Sequence, residues 1–406
     1  MNILILGGAG MMSVGAARDL LSELSPGVTR VVAADASETR LAALKAALPD
    51  PRLETAVVDV TDEAAVAALL ANCDLCINGV PTFAGLQMAI FEACLKAGRP
   101  YADFGGMGVY TVKQKAEHAR FAAAGVTAVI GLGADPGLSN LICRAAADRL
   151  DTITSINLYW TATRLGPSSP VLMPPYSVST VLAEFANTSQ QFLGGRLVEV
   201  PPQSGAETLD LPAPFGRTTF IHTQHSEPLT VPFAKGIAEK GIEEFTWKLA
   251  LPAADQSAWI GLVQAGFGDF DTPVTVRSAD GGPGSKATVK PLDVLTAVIE
   301  RNIAAHAGRI PETEGHELHM AVGRGLKDGR PTTVIVTVLG KPDPLYEGYI
   351  DAGTSMNMSI AAQQILKNPL KPGVWAAEEY FDVDAYLAEV RKRKFTVEIE
   401  TTTREA

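Results

Sequence analysis

A glycine-rich turn between an apolar strand and a helix start is the feature that most limits what this chain can fold into. Asn2-Ile3-Leu4-Ile5-Leu6 is apolar and of strand length, and Gly7-Gly8-Ala9-Gly10-Met11-Met12-Ser13 follows at once. Residues 14–21 then have the composition of a helix. This order builds a phosphate cradle. The first N–H groups of a helix have no partner within it, and the helix dipole favours an anion there. Gly8 is expected to allow the tight turn, and Gly10 to let the backbone approach a pyrophosphate. The third fingerprint position is Ser13 instead of Gly or Ala, still small enough for close helix–strand packing.

The turn opens a repeating pattern. Within residues 1–135, strands are expected at 30–35, 55–60, 74–78, 101–104 and 126–130. Helices are expected at 38–48, from Thr61-Asp62-Glu63 onward, at 86–97 up to Gly98, and at 112–124 up to Gly125. Strands alternating with helices imply an α/β fold, a Rossmann-type doubly wound parallel sheet. The pattern changes after Asp151. Residues 155–161 read as an exposed strand, 166–175 as a loop and 181–186 as a short helix. Polar strands and turns fill 197–251. A hairpin is expected with arms 317–322 and 332–339 around Lys327-Asp328-Gly329-Arg330. Residues 355–366 read as a helix apolar on one face, and 383–391 as another.

With 406 residues the chain exceeds one ordinary core. The expected division is a dinucleotide-binding domain at 1–135, completed by helices within 352–395, and an α+β domain at 136–351. The second domain would contain an antiparallel sheet, bind substrate and dimerise.

Bulk charge excludes some partners. The net charge of −11 argues against nucleic acid, which needs a basic face. The one dense basic run, Arg391-Lys392-Arg393-Lys394, reads as cations offsetting a helix dipole. No run approaches the ~20 apolar residues of a membrane span. The N-terminus reads as a strand with no basic n-region, so a cytoplasmic location is expected. Cys73, Cys76, Cys94 and Cys143 read as buried thiols. Cys73-x-x-Cys76 has no answering pair, and no metal is expected.

Several strand ends carry candidate chemistry. Asp35, followed by Ala36, ends the second strand, where a carboxylate accepts from ribose hydroxyls and repels a 2′-phosphate. This favours NAD, while Arg40 leaves NADP open. Asp59 and Val60 end the third strand, on the adenine side. Asn78-Gly79-Val80-Pro81 ends the fourth, beside the switch point. With Gly8, Ala9, Gly10, Met11 and Met12 these are the expected cofactor contacts.

Asp135 in Gly133-Ala134-Asp135-Pro136-Gly137 is either a helix cap or a carboxylate near the nicotinamide end. Tyr101 is either a core aromatic or a proton-handling group, with Asp103 after it. Arg164 and Arg217 offer planar guanidinium groups for a substrate carboxylate, with Tyr176 in the adjoining loop. In His222-Thr223-Gln224-His225, a strand would put His225 and Glu227 on one face. His225 is then either structural or an active-site imidazole titrating near its ordinary pKa. His316 and His319 fall on opposite strand faces, which argues against a metal pair.

Several segments together resemble the saccharopine dehydrogenase and lysine 6-dehydrogenase-like family. They are 74–81, 93–103, 124–127, His225-Ser226-Glu227-Pro228-Leu229-Thr230-Val231-Pro232 and Pro372-Gly373-Val374-Trp375-Ala376-Ala377-Glu378-Glu379. The most specific is Gly133-Ala134-Asp135-Pro136-Gly137-Leu138-Ser139-Asn140. The resemblance implies an NAD(P)-dependent oxidoreductase that moves hydride to or from a C–N centre of an amino-acid-like substrate. It maps the family's turn aspartate onto Asp135 and cofactor contacts onto Gly8, Gly10, Asn78 and Pro81. It also implies that the C-terminal helices pack back on the first domain. The expected partners are a small amino-acid-like molecule and a second copy of the chain. A cofactor-binding sensor without turnover and a carboxyspermidine- or homospermidine-type polyamine-forming enzyme are the alternatives.

Overall fold

The structure is a computed structural model that describes residues 1–105, 107–279, 281–282, 284–341 and 352–404. Its first sheet is built from the short apolar runs seen in the sequence: β1 (Asn2–Leu6), β2 (Arg30–Asp35), β3 (Leu53–Val57), β4 (Leu75–Asn78), β5 (Tyr101–Asp103) and β6 (Thr127–Ile130). Strands covered on both faces need apolar side chains on both, so Ile3, Leu4, Ile5 and Leu6 are all buried. The second sheet and its attachments use β7 (Thr152–Leu165), β8 (Ser189–Leu193), β9 (Arg196–Val200), β10 (Glu207–Asp210), β11 (Arg217–His222) and β12 (Glu244–Ala250). β13 (Val274–Arg277) and β14 (Lys286–Val289) pair as a separate two-stranded sheet, and β15 (Glu314–Lys327) and β16 (Arg330–Gly340) continue the second sheet. The chain then returns to the first sheet with β17 (Gly373–Ala376) and ends on the second with β18 (Thr396–Thr403).

The first sheet runs β17-β6-β5-β4-β1-β2-β3, and every pairing is parallel. Chain order reverses between β1 and β4, which leaves a crevice beyond their carboxyl ends. Six of these strands were expected. The seventh, β17, is four residues contributed from the C-terminal region, too short for periodicity to reveal. One expected helix at 112–124 is instead two short ones, α5 (Thr111–Ala116) and α6 (His118–Ala123), because Glu117 leaves helical geometry with ψ 2°. The preceding helices are α1 (Met11–Leu20), α2 (Glu38–Ala47), α3 (Glu63–Leu70) and α4 (Gln87–Ala97).

The second sheet runs β10-β11-β12-β7-β15-β16-β18, with the β8–β9 hairpin attached to β12. It is antiparallel except where β12 lies parallel to β7. The strand expected to be exposed at 155–161 is the middle of β7, and it is buried. Ile156, Leu158 and Trp160 face the core. On the other face Tyr159 is covered by β10, where its hydroxyl donates to Glu207 at 3.0 Å. The neighbouring strands β12 and β15 supply the cover. The hairpin of β15 and β16 forms as expected, with longer arms. Asp328 and Gly329 both take positive φ (50° and 72°), the two-residue turn that matches strand twist.

Helices then join the two sheets. α7 (Leu138–Asp148) leaves the first sheet and packs beneath the second, where Ala145, Ala146 and Ala147 are fully buried. α8 (Val178–Ala186), α9 (Ala253–Leu262) and α10 (Pro291–His306) follow. α11 (Ala352–Lys367) is buried on nearly every side, not on one face. Its polar residues are paid for by bonds: Ser355 Oγ to Met12 O at 3.0 Å, Ser359 Oγ to Asp19 at 2.5 Å and Gln363 to Ser25 Oγ at 2.7 Å. α12 (Ala377–Tyr380) and α13 (Val383–Lys392) complete the chain. The basic run at the end of α13 is not all solvated. Arg393 is buried, and Nε and Nη2 each lie 2.8 Å from the buried Asp19 of α1. Tertiary position, not the helix dipole, decides the role of that cation.

Candidate active site

The glycine turn has the expected outline with its roles rearranged. Gly7, not Gly8, takes the left-handed backbone (φ 72°). A Cβ on Gly8 would lie 2.7 Å from Ala33 Cα, so Gly8 serves the packing of the turn on β2. Gly10 caps α1 without a side-chain bond, and the first helical bond runs from Val14 N to Gly10 O at 2.9 Å. The N–H groups of the first turn are thereby left for a ligand. Ser13 is buried against Gly79, where a Cβ would meet Ser13 Oγ at 2.1 Å. At the end of β2 the Asp35 carboxylate accepts from Ala9 N (3.2 Å) and Ser37 N (3.0 Å). Ala36 beside it is exposed. Asp59 turns to its own loop and accepts from Thr61 N and Oγ1 at 2.9 and 2.7 Å, and Val60 packs against the apolar cluster beneath.

A cavity of about 260 Å³ lies beyond the carboxyl ends of β1 and β4, closed from the other side by the second sheet. Residues 10–13 and 78–83 line one wall, and Trp160, Tyr176, Glu184, His225 and Trp247 the other. Met11, Met12, Asn78, Gly79, Val80 and Pro81 are thus brought to it as expected. Asn78 accepts from Val80 N at 3.1 Å and donates to Tyr101 Oη at 3.0 Å. Tyr101 is not among the lining residues. It is fully buried in the sheet, and its hydroxyl donates to Asp103 at 2.8 Å. Burial pushes the pKa of both groups up. Gln87 and Gln114 donate to the same carboxylate at 2.8 and 2.7 Å. Tyr101 therefore props Asn78 from behind.

Asp135 does line the cavity. It is not the helix cap: that position is Gly137, whose φ of 129° suits glycine alone. A Cβ there would lie 2.2 Å from Gly133 O, and the Gly137 N–H is taken by Asn140 Oδ1 at 2.9 Å. Freed from capping, Asp135 places Oδ2 2.8 Å from Nδ1 of His319 on β15. His319 Nε2 lies 3.3 Å from Glu317, which accepts from Gly353 N at 2.9 Å. Burial raises the Asp135 pKa, against the opposing pull of His319. Burial works to lower His319, but Asp135 and Glu317 overcome it and hold the imidazole well above its ordinary range.

A second carboxylate–imidazole set faces it. His225 Nδ1 is 2.7 Å from Glu227 and Nε2 is 3.6 Å from Glu184. Its ring stacks on Trp247 with centroids 4.1 Å apart. Glu227 begins a short 3₁₀ turn instead of continuing a strand, yet the two side chains meet. Glu227 also accepts from Ser139 Oγ at 2.7 Å, and Tyr176 Oη donates to Glu184. Burial alone would lower the pKa of His225, but Glu227 and Glu184 outweigh it and raise it to about 10. His225 thus titrates far from the ordinary value expected for it. Burial raises Glu184 as well.

The two arginines are not brought to the cavity. Arg164 sits at the far end of β7, half-buried, where burial lowers its pKa against the opposing charge of Asp255. Arg217 begins β11 on the solvent side, 3.6 Å from Asp210, with 75% of its side chain exposed. Register places Arg217 opposite Asp210, which satisfies it locally. Tyr176 does line the cavity. His222 points away, near Lys248, and burial lowers it to about 4. All four cysteines are buried and unbridged. Among the described residues no group of three or more His, Cys, Asp or Glu is arranged to hold a metal ion, and no helix is long and apolar enough to cross a membrane.

The residues missed by sequence reading are Glu317 and Glu184; Glu227 is placed with His225 there, and His319 is weighed only as a metal partner of His316. A signal existed for two sets. Glu317 and His319 are two apart in an apolar strand and so share one face. Glu184 is a lone acid in the apolar run Val181-Leu182-Ala183-Glu184-Phe185-Ala186.

Residues 3–129 match the family model described as the saccharopine dehydrogenase NADP binding domain, and residues 133–395 that of the saccharopine dehydrogenase C-terminal domain. This chain belongs to the saccharopine dehydrogenase family. The solved apo saccharopine dehydrogenase (L-Glu forming) of Saccharomyces cerevisiae is similar over 99% of both chains, with 16% identity and a TM-score of 0.72, a likeness of fold. A short-chain dehydrogenase/reductase family oxidoreductase from Burkholderia thailandensis is 21% identical over 32% of this chain and 66% of its own, with a TM-score of 0.25. The family is one of oxidoreductases. Its nicotinamide-dinucleotide domain is the part of this chain that carries the glycine turn.

Proposed function

We propose that the chain is an NAD-dependent oxidoreductase that moves hydride to or from a carbon–nitrogen centre of an amino-acid-like substrate. The observation that carries this reading is Asp135, backed by His319 and Glu317, in a cavity that begins at the first turn of α1. The cradle fits a dinucleotide: the N–H groups of residues 11–13 in the first turn of α1 have no partner within the helix, and a Cβ at Gly7 would strike Gly79 O at 2.6 Å. Residues 10–12, Asp35 and 78–81 would hold the cofactor. The Asp35 carboxylate at the ribose position supports NAD over NADP. When bound, the nicotinamide ring supplies or accepts the hydride.

The chain's own residues handle the rest. C–N oxidation or reduction requires a proton to leave or reach nitrogen, and a positioned acid–base pair serves that step. The Asp135 carboxylate would hold the nitrogen and pass its proton to or from His319 Nδ1, the imidazole being neutral when it accepts and charged when it donates. Glu317, fixed by Gly353 N, orients the imidazole. Trp160, Trp247 and Phe104 line the cavity and limit water. Homodimerisation accompanies this reading as an expectation that analytical ultracentrifugation tests.

Fluorescence titration with NADH and NADPH is the first test, followed by absorbance at 340 nm across a panel of amines with oxo-acids. Saturable NADH binding with turnover that falls at least a hundredfold in His319→Gln is expected. No saturable binding of either cofactor would sink the reading. Binding without turnover on the whole panel would favour a cofactor sensor.

A further inference from the structure

One buried carboxylate behind the cavity gathers donors from several elements. Asp103, at the end of β5, is 1% exposed. Its Oδ1 accepts from the N–H groups of Gly105 and Gly131 at 2.9 and 2.8 Å. Its Oδ2 accepts from Gln87 Nε2, Gln114 Nε2 and Tyr101 Oη at 2.8, 2.7 and 2.8 Å. A carboxylate can only accept, and this crowd of donors leaves no place for a carboxyl proton. Burial works against the anion, and these bonds work for it.

The anion fixes how its neighbours point. Gln87 lines the cavity, and with Nε2 spent on Asp103 the amide atom it has left for a ligand is Oε1. Tyr101 must donate to Asp103, so its oxygen receives Asn78 Nδ2 at 3.0 Å. Asn78 is thereby turned with Oδ1 toward Val80 N at 3.1 Å, and the second lone pair of that oxygen remains for a ligand in the cavity. An independent observation ties the same carboxylate to the Asp135 turn. A Cβ on Gly105 or Gly131 would lie 2.7 or 2.9 Å from Pro136 Cγ, so the two glycines that Asp103 holds form the seat of Pro136. Asp103 thus braces both the cofactor-side amides and the turn that carries Asp135.

We propose that Asp103 is a positioning residue that locks Asn78 and Gln87 as an acceptor pair for an N–H or O–H donor on the nicotinamide half of the cofactor. This rests on the oxidoreductase reading and deepens it: it names the chemistry that the site asks of that half. Two groups there carry such donors, the carboxamide nitrogen and the ribose hydroxyls. Neither amide can turn over while Asp103 is charged, because its oxygen would then meet another acceptor with no proton between them. Asp103→Asn inverts this polarity at nearly unchanged shape. The backbone N–H groups of Gly105 and Gly131 cannot turn, so they keep the new amide's oxygen and direct its nitrogen at Gln87, Gln114 and Tyr101. Gln87 satisfies that nitrogen only by turning its own Nε2 toward the cavity.

Calorimetric titration with NADH, with its reduced 3-acetylpyridine analogue and with ADP tests it. The analogue carries a methyl ketone where NADH has the carboxamide, and ADP lacks the nicotinamide half. Asp103→Asn is expected to weaken NADH by roughly tenfold or more, since a donor then faces a donor, and to leave ADP within about twofold. If the carboxamide is the donor, the wild type prefers NADH to the analogue and the variant loses that preference. If a ribose hydroxyl is the donor, the variant weakens NADH and the analogue together. NADH affinity unchanged in Asp103→Asn would overturn the proposal, and so would an ADP loss as large as the NADH loss, which marks general support of the fold. If that variant does not fold, Tyr101→Phe decides, because it removes only the lock on Asn78 and leaves Asp103 its other donors. It is expected to weaken NADH by about threefold or more with ADP unchanged, and equal NADH affinity would overturn the proposal. Wild-type protein that binds no NADH removes the oxidoreductase reading itself, whereas NADH binding that ignores both variants removes only the role of Asp103.

Discussion

Breaking the buried pair between Arg393 and Asp19 should destabilise the cofactor half of the protein from a distance. Both side chains are 0% exposed, and two guanidinium nitrogens lie 2.8 Å from the carboxylate, so solvent screening does not reduce their interaction. Arg393→Met removes the fork and leaves the buried Asp19 carboxylate beside the Ser25 and Ser359 hydroxyls without its guanidinium. An orphaned buried charge of this kind costs about 3–5 kcal/mol. That is a factor of roughly 10²–10⁴ in the unfolding constant, a large part of a domain's stability of about 5–15 kcal/mol. Asp19→Asn should cost less, because Arg393 keeps Glu389 at 3.3 Å as a counter-ion. The double variant should be more stable than Arg393→Met alone, since no charge is then left unpaired. Urea unfolding followed by circular dichroism measures all three, and the double-mutant cycle isolates the pair. A loss under about 1 kcal/mol in Arg393→Met, or a coupling energy near zero, would refute the argument. Because Asp19 lies on α1, NADH affinity should also fall in Arg393→Met.

Three further outcomes follow from single residues. Asp35→Arg should move the NADPH-to-NADH affinity ratio up tenfold or more, since a charged hydrogen bond is worth roughly 1.5–3 kcal/mol. Unchanged relative affinities by fluorescence titration would discard the ribose assignment. His225 is raised from 6.5 to about 10 by Glu227 and Glu184 against burial, so its stabilisation is complete below pH 6.5 and lost as pH rises through about 10. The urea midpoint should therefore drop between pH 7 and pH 10, and His225→Gln should flatten that drop. Equal pH slopes in the two proteins would contradict it. Gly137→Ala should cost about 2–5 kcal/mol, because φ is 129° and the new Cβ meets Gly133 O at 2.2 Å. A melting temperature within a degree of wild type would show that the turn has another way to relax.

The site was partly legible. Asp135, His225, Tyr176 and the contacts at 10–12 and 78–81 reach the cavity, because a strand end or a turn announces itself locally. Of the two alternatives for Tyr101, the core aromatic fits its full burial, and the sheet holds Tyr101 and Asp103 behind Asn78. Arg164 and Arg217 fit the chemistry of a carboxylate clamp, yet the register of β7 and β11 carries them away. His319 was weighed only against His316, although its partners are Glu317 on its own strand and Asp135 across the cavity.

The sequence by itself determined the parallel sheet, the glycine cradle, Asp35 at the end of β2 and the hairpin of β15 and β16. These rest on local periodicity and turn geometry, which a chain expresses within a few residues. Only the tertiary structure decided that β17 completes the first sheet, that Arg393 seals α1, and that Asp135–His319 and Glu184–His225 meet across one cavity. Those contacts join residues as far apart as Asp19 and Arg393, where pairing depends on packing and burial and leaves no periodic trace in the chain.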